Sequence, residues 1–154
     1  MKGDSNMSET IDIKYFTNKD GGLQEPLTSM DKGDWIDLRA NERYELKKGD
    51  FTLIRLGVAM RLPEGYEAHL SPRSSTFKKW HILQVNSVGV IDNSYSGDND
   101  EWIMPVYAVE DTIIERGDRI CQFRIIKRQP EIIFNTVEKL DDTDRGGFGS
   151  TGSN

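Results

Sequence analysis

Gly89-Val90-Ile91-Asp92, followed closely by Tyr95, puts a carboxylate and a phenolic hydroxyl into one turn. A carboxylate so placed suits orienting a water molecule and taking its proton, and the plainer role of the same residue is that of a turn former. Asp92 to Gly97 also opens like a calcium loop, with glycine in the sixth place. The twelfth place, which needs a bidentate glutamate, is Ile103, so calcium is not expected.

Ser71-Pro72-Arg73-Ser74-Ser75 follows a predicted strand and precedes a predicted short helix. Hydroxyls, a guanidinium and amides at a helix start favour an anion such as phosphate. Ser74 or Ser75 serves equally well as an N-cap. Ser74 has no G-x-S-x-G elbow and no histidine partner by position, which argues against a hydrolase nucleophile. Near the end of the chain, Gly147-Phe148-Gly149-Ser150-Thr151-Gly152 fits G-x-G-x-x-G, but only two residues follow it, so it cannot open the helix of a dinucleotide fold. No P-loop pattern is present. The amides and the hydroxyls of Ser150 and Thr151 can still wrap phosphate oxygens, with Arg145 adding a bidentate contact; the alternative is a disordered tail.

Strands must position these groups. Ile11 to Tyr15 alternates apolar and polar residues, and 51–62 is a longer β-rich stretch closed by the turn Pro63-Glu64-Gly65. Residues 66–70, 81–85, 102–109, 119–126 and 131–137 read as strands too, and the one helical piece spans about 75–80. Pro105 predicts an edge or a bulge. Gly117-Asp118-Arg119 reads as a turn entering a strand. If Ile120 faces the core, alternation sends Cys121 to the other face, which predicts cover on both faces, as at a subunit interface. Many short strands between glycine, aspartate and asparagine turns indicate an all-β sandwich, jelly roll or barrel.

The 154 residues suit a single domain over 1–154, with 1–10 a frayed terminus and 140–154 a flexible glycine-rich arm. Acidic residues outnumber basic ones 26 to 20, for a net charge of −6. That balance argues against binding a nucleic-acid backbone, though not against one nucleotide held by local cations. A single cysteine and two histidines exclude an internal disulfide and disfavour a transition-metal site. No signal peptide or membrane span is visible, which predicts a soluble, cytoplasmic protein without a membrane partner.

In their order these segments resemble the motifs of the homotrimeric dUTPases. The first is Asp37-Leu38-Arg39-Ala40 and the second Pro72-Arg73-Ser74-Ser75. The third runs over 86–97, the fourth is Gly117 to Gln122, and the fifth is Arg145 to Gly152. The wording Gly33-Asp34-Trp35-Ile36-Asp37-Leu38-Arg39-Ala40 is most similar to the branch in Gram-positive bacteria and their phages. The resemblance implies a jelly-roll or distorted β-barrel subunit of a homotrimer whose active sites are shared between subunits. It implies hydrolysis of dUTP to dUMP and pyrophosphate, which limits uracil in DNA and supplies dUMP for thymidylate synthesis. Asp92 would be the general base. Arg73, Ser74, Gln122, Arg145, Ser150 and Thr151 would hold the phosphates, Ser75 and Gly149 would also bind substrate, and Mg²⁺ would bridge the phosphates, with Asp37 reaching the metal only through water. Asn86, Gly89 and Ile91 would meet uracil, Tyr95 would lie under the deoxyribose, and Phe148 would stack on the base.

Departures from the family pattern are visible at both ends. Asp34-Trp35-Ile36 stands where common forms of the first motif have Ala-Gly before the aromatic residue. Arg145-Gly146 meets Gly147-Phe148 directly, where many members carry further residues between. The nearest rival is a dCTP deaminase of the same fold, whose deaminating glutamate would fall at Trp102; Glu101 is one position off. A second is a phage-type regulatory protein that binds a repressor. For such a partner the acidic patch Asp98, Asp100 and Glu101 is a candidate surface, and solvated turn charges are its plain reading.

Overall fold

The computed structural model describes residues 8–28 and 34–148. Among these, the strands are β1 (Asp12–Tyr15), β2 (Ile36–Arg39), β3 (Tyr44–Leu46), β4 (Phe51–Arg55), β5 (Val58–Arg61) and β6 (Tyr66–Pro72). The one helix, α1 (Thr76–Trp80), follows. The rest are β7 (Ile82–Gln84), β8 (Gly89–Ile91), β9 (Ile103–Ala108), β10 (Thr112–Ile114) and β11 (Arg119–Lys127). All pairings are antiparallel. A four-stranded sheet runs β2-β11-β6-β8, a three-stranded sheet β4-β9-β7, and two ribbons join β1 to β5 and β3 to β10. No helix among the described residues is long and apolar enough to cross a membrane.

The long β stretch at 51–62 is broken at Gly57, whose φ of +74° is open to glycine and strained for other residues. Before it the chain pairs with β9, and after it with β1. A Cβ on Gly57 would lie 2.7 Å from Gln24 Nε2 and 2.8 Å from Asn41 Cγ, so the corner is also too tight for a side chain.

The core lies between the sheets. Trp102 and Phe123, both almost fully buried, meet edge-to-face with centroids 5.1 Å apart, among Leu38, Ile54, Leu56 and Leu70. Ile120 and Cys121 are both buried, because the register between β11 and β2 shifts between Arg119 and Cys121. A bulge breaks strict alternation and turns two consecutive side chains inward. The cover on Cys121 thus comes from its own chain, in place of the subunit interface that alternation predicts. Burial pushes the Cys121 thiol pKa far up.

Other expectations are corrected as well. Pro105 lies in β9, the central strand of its sheet, and not at an edge. Its carbonyl accepts from Val85 N–H at 3.1 Å, so the missing donor faces the β7 side, just beyond that strand's last residue, Gln84. Residues 131–137 form no strand: no backbone pairing joins them to any of the described strands. Ile132, Ile133, Phe134 and Val137 are exposed there, and so is Leu140 just beyond.

Candidate active site

The β8 strand sits at the edge of the four-stranded sheet and pairs only with β6, so one row of its backbone groups is unclaimed by the sheet. Gly89 lies opposite Leu70, and a Cβ on it would come within 3.2 Å of Leu70 Cβ and 3.5 Å of Asn86 Nδ2. The absent side chain lets β8 close onto β6 and keeps Asn86 beside it. Together with Ile91, Asp92, Tyr95, Glu101, Trp102 and Ile103 these residues line a cleft of about 400 Å³. That volume falls in the range of small-molecule pockets, roughly 300–1,000 Å³.

Asp92 follows the end of β8 at the exposed lip of the cleft. Its Oδ1 accepts the Ser94 N–H at 2.8 Å, and its carbonyl accepts the Tyr95 N–H at 2.9 Å. Hydrogen bonding from Ser94 holds the carboxyl below its ordinary pKa, so Asp92 is ionised at neutral pH. Tyr95 donates its phenolic hydrogen to the Glu101 carbonyl at 2.9 Å. Burial, with the carboxylates of Asp100 and Glu101, raises the phenol's pKa and keeps it a donor.

A second group of sequence candidates gathers at the other side of the same sheet. Gln122 on β11 is flanked by Asp37 on β2 and Ser71 on β6, and its amide donates to the Pro72 carbonyl at 3.1 Å. Arg73 meets Asp37 at 3.0 Å and donates to the Arg119 carbonyl at 3.1 Å, while Arg119 approaches Asp37 at 3.6 Å. Ser75 is the N-cap residue of α1 by position, but its hydroxyl makes no capping bond. Thr76 ties the turn instead. Its Oγ1 accepts the Arg73 N–H at 2.8 Å and donates to the Ile120 carbonyl at 3.0 Å. Ser74 is exposed beside it.

The cleft and the arginine cluster are separate in one chain: Arg73, Ser74, Ser75, Gln122 and Asp37 are not among the cleft's walls. Arg145 and Phe148 are exposed and do not line it either. Gly149, Ser150 and Thr151 lie outside the described residues. Among the described residues no three His, Cys, Asp or Glu side chains converge to cage a metal, and the Asp37 carboxylate already faces two arginines. Such a donor set fits a hard cation carried by phosphate oxygens and water.

Sequence reasoning missed Glu101 as a wall of the cleft. It is 5% exposed, with Arg55 Nη2 2.6 Å from Oε1, so it is not a solvated charge of an acidic patch. Asp100 is likewise engaged, accepting the Gly97 N–H at 2.8 Å. Ion pairing inside the protein also removes Glu101 from the role of a free acid–base group, and Trp102 is buried in the core.

An all-β domain with a small-molecule cleft at one sheet edge and an arginine–carboxylate cluster at the other is the class that fold and site define. The dUTPase family model matches residues 31–152, and the chain belongs to the dUTPase family. It is 55% identical to the SPbeta prophage-derived deoxyuridine 5'-triphosphate nucleotidohydrolase YosS of Bacillus subtilis, over 93% of this chain and 98% of that protein. It is 44% identical to the deoxyuridine 5'-triphosphate nucleotidohydrolase of Finegoldia magna, over 76% of this chain and 83% of that one. Among solved structures, the dUTPase of Staphylococcus bacteriophage 80alpha with dUpNHpp superposes with a TM-score of 0.74 at 21% identity, covering 95% of this chain and 100% of that chain. The dUTPase of phage phi11 of S. aureus, described with a structural Mg(II) ion, gives 0.69 at 18% identity, covering 87% and 100%. The fold is the dUTPase jelly roll.

Proposed function

We propose that this chain hydrolyses dUTP to dUMP and pyrophosphate at sites completed between copies of itself. The observation that carries the reading is the pairing of a base-and-sugar-sized cleft, with an ionised Asp92 at its lip, and an arginine cluster on the same sheet that the cleft does not reach. A neighbouring copy would bring its arginine cluster to this cleft. The exposed apolar residues Ile132, Ile133, Phe134, Val137 and Leu140 support association, since a run of this kind costs free energy in water.

Asp92 orients a water and takes its proton as the oxygen attacks the α-phosphorus. The bond from that phosphorus to the bridging oxygen breaks, and pyrophosphate leaves with the electron pair. Arg73 and Gln122, with Ser74 and Ser75, stabilise the charge gathering on the leaving group. Arg145, Ser150 and Thr151 would add to this from the C-terminal arm. Mg²⁺ bound with the nucleotide would supply neutralisation of phosphate charge, and Asp37 would hold its water shell.

Uracil is read by the free backbone edge of β8 at Gly89 and Ile91 and by Asn86. Cytosine, with donor and acceptor exchanged, would leave those groups unpaired. Tyr95 closes the sugar side against a 2′-hydroxyl, and Phe148 would cover the base.

The test is pyrophosphate release with Mg²⁺ from dUTP, dCTP, dTTP and UTP offered separately, with Asp92→Asn beside the parent protein. Release from dUTP alone, lost in the variant, is the expected result. Ammonia from dCTP would establish the deaminase instead, and a folded oligomer inert toward dUTP would end the hydrolase reading.

A further inference from the structure

Glu101 is a buried carboxylate in the wall of the cleft that takes no part in the chemistry above. Its Oε1 accepts from Arg55 Nε at 2.7 Å and Nη2 at 2.6 Å, and its Oε2 accepts the Gly57 N–H at 2.9 Å. The next residue is bound to the same corner: Trp102 N–H donates to the Val58 carbonyl at 2.8 Å, and Leu56 N–H to the Trp102 carbonyl at 3.0 Å. Glu101 is therefore pinned through its side chain to the turn between β4 and β5, whose tightness forbids any side chain at Gly57. Its main-chain carbonyl is the acceptor of the Tyr95 phenol.

We infer that Glu101 is a positioning residue that fixes the Tyr95 ring and so sets discrimination between deoxyribose and ribose. The inference rests on the reading of Tyr95 as the sugar wall. With its backbone held by the N–H on the Asp92 carbonyl and its ring tip held by the hydroxyl on the Glu101 carbonyl, the Tyr95 side chain is in place before the nucleotide arrives. Such preorganisation turns a bulky side chain into a steric filter, because a mobile ring would swing aside for a 2′-hydroxyl. Arg55 acts at one further remove, holding the carboxylate from its half-exposed position.

Glu101→Gln replaces one acceptor oxygen with an amide NH₂. In either orientation that group faces a donor, the Arg55 guanidinium or the Gly57 N–H. The measurements are dissociation constants for α,β-imido-dUTP and α,β-imido-UTP, together with KM and kcat for dUTP and UTP. The expected result is a fall of about tenfold in preference for the deoxy form, the range in which small steric differences are discriminated. It should appear in binding and KM more than in kcat. Tyr95→Phe, which removes the hydroxyl, should cause a similar fall, and the double variant little more, because the two act in series. Glu101→Asp, which keeps the charge, should recover part of the preference.

An unchanged preference in Glu101→Gln overturns the inference, as do additive losses in the double variant. Should Glu101→Gln fail to fold, Arg55→Gln tests the same clamp from its solvent side. The binding ratio does not depend on turnover. Absence of pyrophosphate from dUTP with the parent protein would therefore overturn the hydrolase reading separately.

Discussion

Asp37 on β2 reaches past the intervening strand β11 to pair with Arg73 just beyond the end of β6, Nε to Oδ1 at 3.0 Å. The pair holds the arginine's fork in one orientation while both side chains stay partly open to solvent. On the proposed reading, one carboxylate would order the guanidinium that meets phosphate and serve the water around a bound cation.

Asp37→Ala should therefore raise the Mg²⁺ concentration needed for half-maximal dUTP turnover by about tenfold, the usual scale for groups acting around a metal's ligands. Folding stability should fall by only about 1 kcal/mol, since a partly exposed ion pair contributes little. A magnesium titration of the rate and a urea melt measure the two effects.

Asp92→Asn should lower kcat by a factor on the order of 10²–10⁴, the usual contribution of a positioned base. Because Ser94 holds the carboxyl below its ordinary value near 3.9, the acidic limb of kcat/KM due to this group should lie below about pH 4. Activity falls there as pH drops. The same sign governs folding: the stability that the Ser94 contact adds is present above the unfolded pKa and lost as pH falls through the lower folded one. A pH–rate profile of the parent protein checks the limb.

Gly89→Ala should push β8 away from β6, because its Cβ would sit 3.2 Å from Leu70 Cβ. Overpacking of this kind costs about 1–3 kcal/mol. The KM for dUTP should rise with the loss of stability, since the same strand forms the base edge of the cleft. Steady-state kinetics and thermal melting together separate this from a purely structural defect.

Ile133→Ser with Phe134→Ser should leave the fold of each chain intact, since both side chains are exposed and outside the core. Light scattering should show a smaller assembly at micromolar concentration, and turnover should fall with it. A variant that keeps its mass would mean that this segment does not join the copies.

Much of this molecule was legible in its residues. Asn86, Gly89, Ile91, Asp92 and Tyr95 are close in sequence, and one cleft gathers them. Arg73, Gln122 and Asp37 come from distant segments, yet each carries a recognisable motif, and they too converge. Glu101 was not legible as a buried wall, because its partners Arg55 and Gly57 lie 46 and 44 positions away and neither belongs to a motif. Pro105 misled because a missing donor is harmless wherever the neighbouring strand has already ended. At 131–137 β-branched and aromatic residues are frequent, but composition cannot tell whether a neighbouring strand lies alongside to pair with them.

The bulge that turns Cys121 inward has a practical consequence. The sole thiol of the chain is fully buried and its pKa is strongly raised, so the thiolate that reacts with maleimides and disulfides is scarcely populated in the folded protein. A cysteine introduced at an exposed position such as Arg145 would be the one accessible handle for a dye. Distances from the arm to the cleft could then be followed by fluorescence without first stripping the native thiol from the core.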